Sequence, residues 1–251
     1  MMDGKPDKPL QAKAYGHIPH FPGSRMGAGD HHCPPGQLSY ATVKVRDRHD
    51  RVIVEEKLDG SCVAVAKIDG QIVPLIRAGY RAVSSKYEQH RLFHLWCWLP
   101  ENMDRFSRLL GEGERVVGEW LAQAHSTRYE LNAGSVFQAL NPGPQPFVAF
   151  DLMRGVERSP REEFHFRVGA VGLDMPTVLH SGGAFSIEQA LAELGTHGHH
   201  GAIDPVEGAV WRVERHGKVD YLAKFVKLDK VDGIYLPEVS GKPAVWNWRP
   251  S

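Results

Sequence analysis

The chain has 251 residues, 42% of them hydrophobic and 24% charged, values that exclude a disordered, collagen-like or membrane-spanning protein. Lysine plus arginine number 30 and aspartate plus glutamate 30, so the formal net charge is zero with the 14 histidines neutral. A protein that coats nucleic acid by bulk positive charge is thereby excluded, and any polyanion partner must be gripped by a local patch. Cys33, Cys62 and Cys97 contain no C-x-x-C pair, and residues 1–10 (MMDGKPDKPL) lack the apolar core of a secretion signal. A reduced, cytoplasmic setting with no membrane partner is the expectation.

Residues 1–40 are rich in Gly, Pro and His and read as loop. His17, His20, His31, His32 and Cys33 are ligand types that zinc accepts, but they form no clear second ligand pair. The stretch PHFPGSR is instead expected to shape a phosphate-facing loop, with Arg25 and backbone amides as donors. Residues 51–57 alternate in part, as a half-buried strand does. Two strand-like runs, 61–68 and 71–76, flank Asp69-Gly70, a hairpin signal because both central positions of a type I′ turn need positive φ.

Residues 87–98 predict a helix with Leu92, Leu95, Trp96 and Leu99 as its apolar stripe; Pro100 ends it, and 101–110 predict a second. Buried strands are expected at 115–121 and 146–153, joined by a loop through NPGPQP. Ser186 and Gln189 have the spacing of a capping box for a helix over 186–195. His197, His199 and His200 sit between glycines, and no catalytic role is expected of them. A last hairpin runs from VEGAVWRVE through His216-Gly217 to KVDYLAKFVK. With strands dominant and no βαβ rhythm, the fold class is α+β with antiparallel sheets and flanking helices.

A lysine before Asp-Gly at a strand end is a weak signal alone, but others follow it in order. EKLDGS around Lys57 resembles the K-x-D-G nucleophile motif of the covalent nucleotidyltransferases, the ATP-dependent RNA and DNA ligases and mRNA capping enzymes. Arg77 lies where that superfamily places a ribose-contacting arginine. VVGEW with Glu119 resembles its G-E strand, and FVAFDLM with Phe150 its aromatic strand, whose Phe stacks on the purine. VEGAVWR with Glu207 resembles E-G-x-V, and LAKFVK with Lys224 and Lys227 resembles the terminal lysine motif. The resemblance covers roughly residues 51–230. It implies a nucleotidyltransferase (ATP-grasp-like) domain there, preceded by a segment 1–50 packed on it and followed by a tail, 231–251.

The resemblance implies that the Lys57 amine attacks the α-phosphate of ATP, releases pyrophosphate and becomes lysyl-AMP, with Asp59 at the nucleophile loop. Glu56, Arg77, Glu119, Phe150, Lys224 and Lys227 are the expected nucleotide contacts, Glu56 toward adenine, and Glu207 with Glu119 the carboxylates for Mg²⁺ or Mn²⁺. An ordinary lysine, of pKa about 10.4, is almost fully protonated at pH 7. Lys57 is therefore expected to be depressed by neighbouring positive charges and a metal ion.

If His216-Gly217 form a two-residue loop, Arg215 pairs with Lys218, Glu207 with Val226 and Ala209 with Lys224. Alternation then puts Glu207, Ala209 and Lys224 on one face and Lys227 on the other. The superfamily more often spaces these lysines K-x-K, whereas here the spacing is K-x-x-K.

Two local basic runs flank Lys57: Lys44, Arg46, Arg48 and Arg51, and Arg77, Arg81, Lys86 and Arg91. Beside a nucleotide-transfer site they are the expected nucleic-acid track. Only residues 228–251 follow Lys227, too few for the OB-fold that ligases and capping enzymes append. The expectation is a compact bacterial- or phage-type RNA ligase without an OB-fold domain, acting in RNA repair on 5′-phosphate and 3′-hydroxyl ends, with an accessory protein supplying any second module. The alternatives are a DNA ligase, a GTP-dependent capping-type guanylyltransferase, and a nucleotide- or nucleic-acid-binding module without turnover.

Overall fold

The computed structural model describes residues 7–131 and 144–250. In chain order the elements are α1 (Pro35–Thr42), β1 (Asp50–Lys57), β2 (Ser61–Ile68), β3 (Gln71–Ile76), α2 (Glu88–Cys97), α3 (Pro100–Leu109), β4 (Glu114–Trp120) and β5 (Phe147–Arg154). They continue with β6 (Glu157–Arg158), α4 (Arg161–Ala170), β7 (Val178–Gly182), α5 (Ile187–Leu194), β8 (Gly208–Arg215), β9 (Lys218–Val226) and α6 (Pro237–Ser240). The strands form two sheets, antiparallel throughout, in the orders β7-β1-β8-β9 and β3-β2-β4-β5-β6. The α+β expectation holds. Part of the NPGPQP loop lies outside the described residues. No helix among the described residues is long and apolar enough to cross a membrane.

Both hairpins turn where their dipeptides predict. Asp69 and Gly70 have φ of 50° and 73°, and His216 and Gly217 have 51° and 71°, the left-handed pair a type I′ turn requires. The Ser186–Gln189 capping box is present at α5. β1 differs from the half-buried expectation: it lies between β7 and β8, and Val52 through Glu56 are all buried.

The α2 stripe is also different. Gln89, Phe93, Trp96 and Cys97 are buried, while Leu95 and Leu99 are 59% and 41% exposed. Trp96 and Phe93 pack with Phe106, Trp120, Phe147 and Phe164 in a core under one face of the five-stranded sheet. Gln89 is drawn inward by polar partners, its Oε1 accepting from the Ser61 hydroxyl at 3.1 Å. A buried hydrogen-bonded side chain outweighs an aliphatic one for that position.

The β8–β9 register slips by one residue between Val213 and Glu214. Lys224 therefore pairs with Val210 rather than Ala209, which is buried in the core on the other face with Trp211 and Phe21. At the slip, Glu214 is buried and accepts from the Arg161 backbone N–H at 2.6 Å.

The N-terminal residues cross from one sheet to the other. The Ala14 and Tyr15 N–H groups donate to the Arg77 carbonyl at 3.0 and 3.3 Å. Further along, the Phe21 N–H donates to the Lys224 carbonyl at 2.9 Å and the Lys224 N–H to the Pro19 carbonyl at 3.0 Å. This segment covers the β9 edge, whose backbone groups would otherwise be open. Arg212 on β8 and Asp151 on β5 join the two sheets by a buried ion pair of 2.9 Å; Asp151 also accepts from Arg158 at 2.7 Å and the Tyr15 hydroxyl at 3.1 Å.

Candidate active site

Between the sheets lies a cavity of about 490 Å³. Lys57 closes β1 at its rim, followed by Leu58, Asp59 and Gly60, all lining residues. Gly60 is required there: a Cβ would stand 2.5 Å from the Trp120 carbonyl oxygen. The turn is fixed by its backbone. The Asp59 N–H donates to the Tyr129 hydroxyl at 2.9 Å, and the Gly60 N–H to Glu119 Oε1 at 3.0 Å. The Asp59 carboxylate accepts from the Ser126 N–H at 2.8 Å and pairs with Lys230 at 3.5 Å.

Glu119 reaches the cavity because Gly118 lets β4 and β5 approach closely. A Cβ on Gly118 would fall 2.5 Å from the Phe147 ring and 2.6 Å from the Val148 oxygen. The ladder between these strands skips one residue, Phe150, which is the extra residue of a bulge. Bulges re-aim side chains, and this one places Phe150 in the cavity wall, edge-on to Tyr15 at 5.2 Å between ring centres.

Glu207 precedes β8, at a point where Gly208 passes so close to β9 that a Cβ would meet the Phe225 oxygen at 2.0 Å. Its Oε2 accepts from Lys57 Nζ at 2.7 Å. Burial pulls the Lys57 amine down, but Glu207, Glu119 and Asp59 together outweigh it and hold the amine well above the usual lysine range. That corrects the expectation of a depressed lysine: three carboxylates surround it. Lys224 is the group pushed down, by burial and then by Lys57. Burial also raises both acids of the site, Glu119 to about 7 and Glu207 in the same direction, against the pull of Lys57.

Of the residues singled out in the sequence, Glu56, Lys57, Asp59, Arg77, Glu119, Phe150, Glu207 and Lys224 all line this one cavity. Lys227 does not: it follows β9, and its amine donates to the Gly195 carbonyl at 3.3 Å. Arg25 pairs with Asp232 at 3.3 Å instead of facing the cavity. His20 is buried between Ser24 at 2.7 Å and Asp30 at 3.1 Å, and burial pushes it down to about 4.

Sequence reasoning missed Tyr15, Val210 and Arg212 in the lining and Lys230 behind Asp59. Tyr15 carried no motif; Val210 and Arg212 were inside VEGAVWR, and alternation from Lys224 across the corrected register would have found both. In the basic run 44–51, Arg46 is paired with Asp50 and Asp220 and Arg51 with Glu162, while Lys44 and Arg48 have no carboxylate partner among the described residues.

Among the described residues no three His, Cys, Asp or Glu side chains converge as a closed metal cage. Two carboxylates lining one cavity are nevertheless a donor set that magnesium uses, because it completes its shell with water and substrate phosphates. Glu119 and Glu207 fit that requirement.

Two antiparallel sheets around a cavity, with a lysine at the end of a strand facing two glutamates and a second lysine, define a covalent nucleotidyltransferase domain. A profile of the RNA ligase family matches residues 50–226, and the chain belongs to that family. Similar solved structures include an apo mutant of the Naegleria gruberi RNA ligase, 15% identical over 82% of this chain and 55% of that one with a TM-score of 0.51. A second mutant of that ligase, solved with ATP and Mn, is 15% identical over 76% and 52%, also with a TM-score of 0.51. An archaeal ATP-dependent RNA ligase is 19% identical over 83% and 48% with a TM-score of 0.46. The chain thus spans about half the length of these proteins, and the likeness concerns the fold. No curated protein matches the sequence.

Proposed function

We propose that this domain carries out ATP-dependent RNA ligation through a lysyl-AMP intermediate on Lys57. The observation that carries the reading is the Lys57–Glu207 contact of 2.7 Å inside a cavity that also holds Glu119, Phe150 and Lys224. In the first step the Lys57 amine gives up a proton, its nitrogen bonds to the α-phosphorus, and the bond to pyrophosphate breaks. AMP then passes to an RNA 5′-phosphate, and a 3′-hydroxyl displaces it as the phosphodiester forms. Such transfers depend on positioning and electrostatics. Lys224 and Arg77 are cations that neutralise phosphate oxygens, and Phe150 offers a face for the base. Mg²⁺ or Mn²⁺ on Glu119 and Glu207 would add positive charge beside the phosphates and draw Glu207 away from Lys57.

Glu56 lines the cavity, but its carboxylate lies against Gly198 and His199. Its carboxylate is buried, one oxygen accepts from the His199 N–H at 2.9 Å, and the other has no protein partner among the described residues.

Incubation with radiolabelled ATP or GTP and Mg²⁺, followed by a denaturing gel, tests the reading. Label from ATP that disappears in Lys57→Ala is expected. Preference for GTP would assign a capping-type guanylyltransferase, and absence of any label would leave a binding module. Sealing of nicks with RNA or DNA ends decides between RNA and DNA ligase.

A further inference from the structure

α2 presents an outer face that the nucleotide site does not use. Tyr87, at its N-terminal cap, is 42% exposed, and Trp98, at its C-terminal cap, is 53% exposed. At 100° per residue, positions 87, 91, 94 and 98 fall on one stripe about 16 Å long. It carries Tyr87, Arg91, His94 and Trp98, an aromatic or cationic group at every position.

This stripe is continuous with the cavity. The Tyr87 ring meets the His90 ring edge-on at 5.7 Å, and His90 lines the cavity. At the other end the His94 and Trp98 rings are 5.9 Å apart. Lys86 Nζ sits 4.9 Å over the Tyr87 ring. Arg91 is anchored by donating to the Ser85 and Lys86 carbonyls at 2.9 Å, which orders the guanidinium without neutralising it. Among the described residues no carboxylate pairs with Lys86 or Arg91, and the nearby Glu88 is taken by Arg249 at 2.9 Å. The charge of these two side chains is uncompensated.

We infer that this face of α2 binds the single-stranded RNA next to the end delivered to Lys57, bases stacking on Tyr87 and Trp98 and phosphates meeting Lys86 and Arg91. Exposed aromatics alternating with cations are how sequence-tolerant single-strand sites are built, since every base has a π-face and every linkage a charge. A protein partner fits less well, because a dry interface would bury two cations without counter-charges. Identification of the strand as RNA rests on the ligase reading above; the stacking surface itself does not.

Fluorescence anisotropy of a labelled single-stranded RNA 12-mer with a 5′-phosphate tests the inference on the full chain. The double variant Tyr87→Ala/Trp98→Ala is expected to bind about ten-fold or more weakly, from stacking lost at two bases. Tyr87→Phe/Trp98→Phe keeps the rings and should retain affinity, which separates stacking from misfolding. Lys86→Ala should weaken binding and flatten its salt dependence. Unchanged affinity in the double alanine variant overturns the inference. So does equal competition by blunt duplex RNA, whose bases are already stacked, or a wild-type dimer in sedimentation that the same substitutions dissolve. ATP labelling of the wild-type protein is read in parallel: its failure defeats the ligase reading while leaving the binding result to stand on its own.

Discussion

Lys57 Nζ and Glu207 Oε2 stand 2.7 Å apart, and the contact keeps the strand-terminal lysine in its charged form. A charged amine cannot attack phosphorus. Under the proposed mechanism Glu207 would have to release the amine once nucleotide and metal were bound, and removing Glu207 should separate amine reactivity from catalysis. Glu207→Gln takes away an interaction that raises the Lys57 pKa and leaves the burial that lowers it. At about pH 8, modification of Lys57 by an amine-selective acylating reagent should be faster in this variant than in wild type, read by peptide mass spectrometry. AMP transfer should nevertheless fall by about 10–100-fold or more as the metal loses a ligand.

Glu119 holds its proton up to about pH 7, because burial opposes its charged form more strongly than Lys57 favours it. A metal ion needs the carboxylate, so metal and proton compete. Calorimetric Mn²⁺ affinity in the presence of a non-hydrolysable ATP analogue should tighten as pH rises from about 6 to about 8. Glu119→Gln should weaken binding and flatten that dependence.

Gly118 is where β4 admits the Phe147 ring and the Val148 oxygen, at 2.5 and 2.6 Å from any added Cβ. Gly118→Ala should lower unfolding free energy by about 1–3 kcal/mol in urea denaturation, as overpacked positions do. Gly183→Ala, with nothing within 4 Å of its Cβ, should stay within about 0.5 kcal/mol of wild type.

The Arg212–Asp151 pair crosses between the sheets behind Phe150 with both side chains at most 1% exposed. Asp151→Asn leaves two arginines without their carboxylate and should cost about 3–5 kcal/mol, the usual penalty for orphaning a buried charge. Tyr15→Phe removes only a hydroxyl from the same carboxylate and should cost about 1 kcal/mol.

Much of this site is legible in the sequence because its residues sit in short strand-bound motifs, several of them ending or turning at a glycine, as at Gly60, Gly118 and Gly208. Asp69-Gly70 and His216-Gly217 announce their hairpins through backbone conformation alone. The misreadings have a different origin. The slip at Glu214 coincides with a long-range contact to Arg161, which no local pattern contains, and it moves Lys224 from Ala209 to Val210. α2 turns Gln89 inward and Leu95 outward because its neighbours, Ser61 and the aromatic core, decide the face. Tyr15 entered the cavity unannounced from a segment read as loop, carried there by backbone bonds to Arg77.

The K-x-x-K departure from the superfamily's spacing resolves by position, since Lys224 lines the cavity and Lys227 donates to Gly195 outside it. Lys224→Ala should reduce AMP transfer by at least about 100-fold, the scale on which a single electrostatic contact to a transition state acts. Lys227→Ala should change it by less than about three-fold, well under 1 kcal/mol. Single-turnover labelling with ATP measures both.

Peptide mass spectrometry after incubation with ATP and Mg²⁺ tests the central claim most directly. The account predicts one AMP on the peptide containing Lys57, stable to alkali and lost in acid as a P–N bond is, and absent from Lys57→Ala. An AMP adduct on any other residue, or RNA sealing by Lys57→Ala, would contradict it.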